Sequence, residues 1–232
     1  MSQKLFILFT MDVEPVKLNP LWTGPVDKES SELYIKYYWD ICTKHGFTPS
    51  FFIHPEAAGL HRELFTKYLN LGSTLGLHVH STKFHYPDYT YEFGYYSAAV
   101  QEEIVFLASK EWECALGFKP LYFRPGAFSA NDATASTLVK LGFRGGSLSI
   151  PGRVWPERYC IWAGTPPYPH RMHPDFRCSY GDMDFVNIPL SVDFSRPGSS
   201  NQYFCYEDLR PSGRKSDPRL ILDNIVKKIK MD

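Results

Sequence analysis

The chain has 232 residues, with 25 Lys and Arg against 25 Asp and Glu, so its formal net charge is zero. This balance argues against a nucleic-acid partner, because affinity for phosphates depends on an excess of basic side chains. A hydrophobic fraction of 44% is typical of a globular protein and excludes wholesale disorder. No apolar run approaches the roughly 20 residues that a membrane-spanning helix needs.

The cysteines and the N-terminal segment predict a cytoplasmic protein. Five cysteines are scattered along the chain without a CxxC pair, which is typical of a reduced protein without a cysteine-type zinc site. The N-terminal segment has a short apolar stretch and no small-residue cleavage site, so it does not read as a signal peptide. At this length we expect residues 1–232 to form a single domain.

In chain order, short apolar runs alternate with segments of helical periodicity. Strands are predicted at residues 4–10, 48–54, 75–80, 120–123 and 143–150. Helices are predicted at residues 28–45, 55–72, 98–116 and 131–141. This alternation indicates βαβ crossovers and a parallel sheet, and five successive units favour an α/β barrel or a barrel-like sheet.

The pattern changes after the fifth predicted strand. Residues 150–217 are rich in proline, and only the run VNIPLSV reads as a strand. We therefore expect long loops that cap the C-terminal mouth of the barrel. A last amphipathic helix is predicted at residues 218–230.

Acidic, imidazole and guanidinium side chains follow the predicted strands at their C-terminal ends, where the active sites of parallel barrels lie. They are Asp12 and Glu14 after the first strand, His54 after the second, His78, His80 and His85 around the third, and Arg124 after the fourth. A carboxylate with two imidazoles suits a divalent metal, most readily Zn²⁺. A second carboxylate could serve as a general base, oriented by an arginine.

Each of these residues also has an ordinary structural interpretation. The two acids could cap a helix or lie in a solvated loop, and the arginine could form a surface ion pair. His78 and His80 share one face of a strand, because strand side chains alternate with period two, and they could simply line a polar mouth.

Three segments resemble the ordered motifs of the polysaccharide deacetylase (NodB-like) superfamily, carbohydrate esterase family four. They are TMDVEP, GLHVHSTKFH and YFRPGAF, the last followed by NDATASTLVKLGF. The resemblance covers residues 4–149 and implies a distorted (β/α) barrel of about seven parallel strands. It also implies that Asp12 is the catalytic base, Glu14 a metal ligand and Arg124 the residue that orients the base.

Four departures from the family motifs concern the site. Val13 separates two acids that are adjacent in many members, and RPGAF stands where RPPYG is usual. His85 follows His80 by five positions instead of four, so the remaining ligand is either His85, from a bulged loop, or His78. The late histidine that supplies a general acid is missing. His170 and His173 are the candidates for that catalytic role, unless the role is absent.

We therefore expect a metal-dependent hydrolase that removes an N-acyl group, such as acetyl, from an amino sugar or glycan precursor in surface-polysaccharide biosynthesis. A carbohydrate is the expected partner, and a homodimer is one expected assembly. The candidate substrate-binding residues are His54, Tyr86, Trp155 and Trp162. We expect one of the two tryptophans to form a pocket wall and Asp182 or Asp184 to lie near Arg124.

Two other functions are compatible with the sequence. A non-catalytic carbohydrate-binding relative would explain the aromatic loops and the missing late histidine. A barrel-type metal-dependent phosphoesterase also uses an HxH pair, but normally after the first strand, whereas here the pair is in the third predicted strand.

Overall fold

The computed structural model describes residues 5–20, 22–84, 89–199, 204–210 and 216–231. The helices are α1 (Lys28–Lys44), α2 (Pro55–Leu60), α3 (Arg62–Asn70), α4 (Ala98–Leu116), α5 (Thr134–Lys140) and α6 (Pro218–Met231). The first five strands are β1 (Thr10–Val13), β2 (Ser50–Ile53), β3 (Leu75–Val79), β4 (Tyr122–Pro125) and β5 (Gly145–Gly146). The others are β6 (Val154–Trp155), β7 (Cys160–Ile161), β8 (His170–Arg171), β9 (Val186–Asn187), β10 (Val192–Ser199) and β11 (Phe204–Asp208).

Seven strands form the main sheet, in the order β1-β2-β3-β4-β5-β9-β8. All neighbouring pairs from β1 to β9 are parallel, and β8 pairs with β9 in the antiparallel sense. The mixed α/β fold is therefore as predicted, except that the seventh strand is not parallel. No helix lies between β8 and β9 to return the chain for parallel pairing, so these two neighbours run in opposite directions.

The main sheet is strongly curled. In a flat sheet, β1 and β4 would lie about 14 Å apart, since two strands separate them. Instead, Arg124 on β4 donates a hydrogen bond of 2.6 Å to Asp12 on β1. This contact requires the sheet to bend around its interior, as in a distorted barrel. In the described part of the chain, no strand pairing joins β1 to β8.

Local interactions explain most helix boundaries. Asp27 caps α1 by accepting a hydrogen bond from the Ser30 backbone N–H, and Gly117 ends α4 with a φ of 85° that favours glycine. The single helix predicted at residues 55–72 is divided into α2 and α3. His61 leaves helical geometry at the junction, and its imidazole forms a hydrogen bond with Ser31 of α1.

The first strand lies later in the chain than predicted, because β1 (Thr10–Val13) shares only Thr10 with the predicted residues 4–10. The apolar run Leu5–Phe9 lies outside any strand, although the Phe9 carbonyl accepts a hydrogen bond from the Ser50 backbone N–H. The five side chains of this run are all more than a third exposed to solvent. Apolar character alone therefore did not locate the start of β1.

The proline-rich region contains more regular structure than the predicted loops. Strands β6, β7, β10 and β11 form a second, antiparallel sheet in the order β10-β11-β6-β7. Two of these strands are only two residues long, which is too short for period-two alternation to be visible in the sequence. The C-terminal helix was predicted within a residue of its observed end.

Two predictions from composition can be compared directly with the structure. All five cysteines are free thiols. Among the described residues, we find no helix with the length and apolar character needed to cross a membrane.

Candidate active site

The predicted base and arginine are in direct contact. Asp12 is the third residue of β1, and its carboxylate accepts a hydrogen bond of 2.6 Å from Arg124 Nη1. Arg124 Nη2 donates to the hydroxyl of Thr10, two residues earlier on the same strand face. The guanidinium also lies 4.2 Å from the ring centroid of Phe52. Arg124 is buried, whereas 30% of the Asp12 side chain is exposed, so the carboxylate is held firmly and still reaches solvent.

Glu14, His78 and His80 form a cluster with suitable donor atoms for a metal. One donor atom from each lies within 4.8 Å of the other two. Glu14 Oε1 is 3.4 Å from His78 Nε2 and 3.1 Å from His80 Nε2. Glu14 follows Asp12 by two positions, so the two acids leave β1 on the same face. The cluster and the Asp12–Arg124 pair therefore share one end of the sheet.

The orientation of His78 is set by the neighbouring strand. Its Nδ1 lies 2.8 Å from the backbone carbonyl of Arg124, which can only accept, so Nδ1 carries the proton. The Nε2 lone pair then points toward Glu14, and this buried atom has no hydrogen-bond partner in the described residues. An imidazole whose Nδ1–H is held by a backbone carbonyl is oriented to present its Nε2 to a metal.

The two carboxylates around His80 stabilise a positive charge on its imidazole. Burial would raise the pKa of Glu14, but the charge of His80 and the hydrogen bond from its imidazole hold that pKa well below its usual range. Burial would lower the pKa of His80, but Glu14 and then Glu92 outweigh that effect and raise it to about 9. A divalent metal would have to displace the proton that His80 carries at neutral pH.

Lys83 is a member of the site that sequence reasoning missed. Its ammonium is buried and lies 2.9 Å from Glu14 Oε2, and it also donates to the carbonyl and the hydroxyl of Thr23. Residues Ser81–Lys83 form a 3₁₀ turn, in which side chains three positions apart share a face. That geometry places Lys83 on the same side as His80.

Glu92 is a second residue that was missed. Its side chain is buried, and Oε2 lies 3.5 Å from His80 Nδ1, while Oε1 accepts a hydrogen bond of 2.5 Å from Arg158. Glu92 lies in an aromatic segment between β3 and α4. The only sequence signal would have been an acid in a loop that follows a strand bearing candidate ligands.

Gly126 allows the third motif to approach His80 closely. A Cβ built on Gly126 would lie 2.3 Å from two atoms of the His80 imidazole, far inside van der Waals contact. The next two residues, Ala127 and Phe128, have φ values of 53° and 56°, which are unusual for residues with side chains. This tight turn packs the backbone against the candidate metal site.

Several predicted site residues have other roles in the structure. His54 is fully buried, with Nδ1 against the Glu56 carboxylate and Nε2 3.5 Å from the His80 carbonyl. Its ring therefore packs against the backbone of the site and does not face a substrate. Asp184 is exposed and pairs with Arg171, and Asp182 is exposed too. The partners of Arg124 are Asp12 and Thr10, so the expected approach of Asp182 or Asp184 was wrong.

The structure does not bring His170 or His173 to the base. His170 on β8 is buried, and its Nδ1 donates to the Tyr168 carbonyl at 2.7 Å. His173 Nδ1 accepts from the backbone N–H of Asp175. Within the described ranges, no hydrogen bond or ion pair joins either histidine to Asp12. Each histidine is instead hydrogen-bonded to a residue two positions away in its own segment.

The two tryptophans differ in their surroundings. Trp162 is fully buried, and its Nε1 donates a hydrogen bond of 2.8 Å to the Phe128 carbonyl. It is therefore a core residue that braces the third-motif turn, and the expectation that it lines a pocket was wrong. Trp155 is half-buried on β6, with the Arg158 guanidinium 5.4 Å from its ring centroid. A substrate contact by Trp155 stays a prediction.

Replacing Trp162 by Ala should destabilise the fold by about 3–5 kcal/mol, because it removes a large buried ring and leaves a cavity. The loss should be measured as the free energy of unfolding in denaturant. The matched control is Trp155→Ala, which should cost less because that ring is only half-buried. A Trp162 variant with wild-type stability and impaired substrate binding would restore the pocket-wall role.

The remaining predicted site residues, His85 and Tyr86, lie outside the described residues. Among the described residues, His78 is the third member of the cluster. Glu14 and His80, which the sequence predicts to be ligands of one metal ion, do lie in the same cluster.

Comparisons with known proteins identify related folds. No protein-family model matches the chain, and no curated protein matches it either. A crystal structure from Mycobacterium smegmatis, of a protein assigned as a polysaccharide deacetylase, matches with a TM-score of 0.56 and 16% identity. The match covers 97% of this chain and 71% of that one.

Two further structures match less of the chain. A T48 deacetylase solved with substrate has a TM-score of 0.40, and the Xyl-CE4 domain of a multidomain xylanase from the hindgut metagenome of Trinervitermes trinervoides has one of 0.36. Each is 16% identical over 56% of this chain, and the matches cover 53% and 52% of those chains. An identity of 16% supports a conclusion about the fold only. This chain has the α/β fold of the Mycobacterium smegmatis protein.

Proposed function

We propose that this protein is a metal-dependent deacetylase that hydrolyses the N-acetyl group of an amino sugar or glycan precursor. One observation carries the proposal: the Glu14–His78–His80 cluster lies at the same end of the sheet as a partly exposed carboxylate, Asp12, that is paired with a buried arginine. The deacetylase fold of the neighbouring structure supports the same reaction class. The acyl group and the sugar are proposals from the sequence resemblance.

The cluster fits a divalent metal such as Zn²⁺. It offers two imidazole nitrogens and one carboxylate oxygen, which is a common ligand set for catalytic zinc. His78 Nε2 is buried without a hydrogen-bond partner in the described residues, as expected of a ligand atom. Lys83 donates a hydrogen bond to Glu14 Oε2, while Glu14 Oε1 faces both imidazoles. A bound metal would supply Lewis-acid polarisation of the acyl carbonyl.

The residues around the cluster provide the proton transfers of amide hydrolysis. Asp12 is partly exposed and adjacent to the cluster, so its carboxylate can take a proton from the attacking water as the new C–O bond forms. Arg124 fixes the orientation of this carboxylate through a hydrogen bond of 2.6 Å. As the C–N bond breaks, Asp12 can return this proton to the leaving amine. A separate histidine acid is then unnecessary.

Several finer expectations stay predictions. These are the cytoplasmic location, the role in surface-polysaccharide biosynthesis and the homodimer. The half-buried Trp155 near Arg158 is the described candidate for a sugar contact.

The proposal is tested by acetate release. Purified protein should hold about one equivalent of zinc and release acetate from N-acetylated amino-sugar oligomers or sugar nucleotides. Stripping the metal with a chelator should abolish acetate release, and added zinc should restore it. Absence of stoichiometric metal, or acetate release that is indifferent to the chelator, would reject the metal-dependent mechanism.

A non-catalytic carbohydrate-binding relative is the second candidate. It is favoured by Lys83, whose buried ammonium already balances the charge of Glu14 without a metal. Under this alternative the purified protein would bind glycans, hold no zinc and release no acetate. The metal content therefore discriminates between the two functions.

A further inference from the structure

Glu92 faces the candidate metal site from a segment outside the sequence motifs. Only 3% of its side chain is exposed, and its Oε2 lies 3.5 Å from His80 Nδ1. In the described part of the chain, neither atom has a hydrogen-bond partner elsewhere. Glu92 is therefore the group placed to accept the Nδ1–H of His80.

The two imidazoles are held by equivalent arrangements. His78 turns its Nδ1–H to the Arg124 carbonyl and its Nε2 to Glu14. His80 turns Nδ1 to Glu92 and Nε2 to the same Glu14 oxygen. An acceptor behind a metal-binding histidine fixes the ring and its tautomer and makes the ligand nitrogen more basic.

Arg158 holds Glu92 from the opposite side. Its Nη1 donates a 2.5 Å hydrogen bond to Glu92 Oε1, and its guanidinium lies over the Trp155 ring. Arg158 belongs to a 3₁₀ turn, Pro156–Arg158, between β6 and β7. The second sheet thus contacts the candidate metal site through one ion pair.

We propose that Glu92 is a positioning residue for the metal ligand His80, and that Arg158 positions Glu92. This inference rests on the proposed metal site and extends it with two residues outside the deacetylase-like motifs. Through them, the antiparallel sheet of the second half contributes to metal affinity. Neither residue needs to contact the substrate for this role.

The test is the zinc dissociation constant of the folded protein, measured by competition with a chromophoric chelator. Glu92→Gln keeps the size of the side chain but removes its charge, and should weaken zinc binding about 10–100-fold. Arg158→Gln should weaken it in the same direction but less, because Glu92 stays buried beside His80. Arg158→Lys should recover much of the loss, since an ammonium can still pair with Glu92. The visible spectrum of the Co²⁺-loaded protein should change in the same order.

The matched control is Glu102→Gln, which removes the charge from a surface pair with Lys140 and should leave zinc affinity unchanged. If Glu92→Gln lowers only the unfolding free energy of the metal-free protein and its zinc dissociation constant is unchanged, Glu92 is merely structural and the inference is wrong. Wild-type affinity in Arg158→Gln would overturn the part assigned to Arg158. Wild-type protein that binds no zinc would overturn the proposed function as well, so the two failures are distinguishable.

Discussion

Replacing Asp12 by Asn is expected to lower the turnover of acetyl release by about 10²–10⁴-fold, the usual contribution of a general base. The amide has nearly the same shape but cannot accept the proton of the attacking water. Because Asp12 is not in the Glu14–His78–His80 cluster, the zinc content should stay at one equivalent. The measurement is the rate of acetate release under saturating substrate, with metal analysis of the same sample.

Arg124→Lys is the companion variant. A lysine lacks the planar fork that binds Asp12 and Thr10 together, so turnover should fall although the positive charge remains. Asp132→Asn, which removes a charge from an exposed pair with Arg177, serves as the surface control and should be fully active. If Asp12→Asn retains wild-type turnover, the base is another group.

Replacing Glu14 by Gln is expected to remove stoichiometric zinc and, with it, acetate release. A neutral amide oxygen is a much poorer zinc ligand than a carboxylate, and only two imidazoles would remain. Metal analysis after gel filtration measures the first effect, and the acetate assay measures the second. Retention of one tightly bound zinc ion would show that the metal lies elsewhere.

Glu14→Gln also leaves the buried Lys83 ammonium without its counterion, and the fold itself could suffer. The double variant Glu14→Gln/Lys83→Met separates the two effects, because it removes the isolated charge as well. We expect the double variant to fold like wild type and still bind no zinc. Lys83→Met alone retains all three ligands and should keep its zinc.

The contact between Asp12 and Arg124 could be predicted because parallel strands deliver the residues at their C-terminal ends to one mouth. The same rule placed Glu14 and His80 together. It applies to any chain with alternating strands and helices, and it needs no knowledge of exact strand lengths. This explains why the centre of the candidate site was predictable although most strand boundaries were not.

Lys83 and Glu92 could not be predicted in the same way. Lys83 approaches Glu14 from a single 3₁₀ turn, Ser81–Lys83, which is too short to leave a periodic pattern in the sequence. Glu92 reaches His80 from a loop whose path is fixed by distant partners, including the hydrogen bond from Gly94 N–H to the Ser129 hydroxyl. Such contacts have no periodic signature.

The second sheet was missed for a related reason. Strands β6 and β7 are two residues long and are defined by pairing with each other and, for β6, with β11. Trp162 illustrates the same limit, since an aromatic residue in a proline-rich segment could equally line a pocket or fill the core. Its burial and its hydrogen bond to Phe128 depend on tertiary packing alone.

The close approach of Gly126 to His80 couples two motifs that are more than 40 positions apart in the chain. The volume that a side chain at position 126 would need is already filled by the imidazole. A turn with proline at this position, as in the RPPYG segment of the family that these motifs resemble, therefore cannot be grafted onto this chain unless His80 moves, and a displaced His80 would no longer face both Glu14 and Glu92. Substitutions at the two positions are interdependent: a change that is neutral in a protein with a different histidine arrangement would be damaging here, and engineering of this site has to alter both positions together.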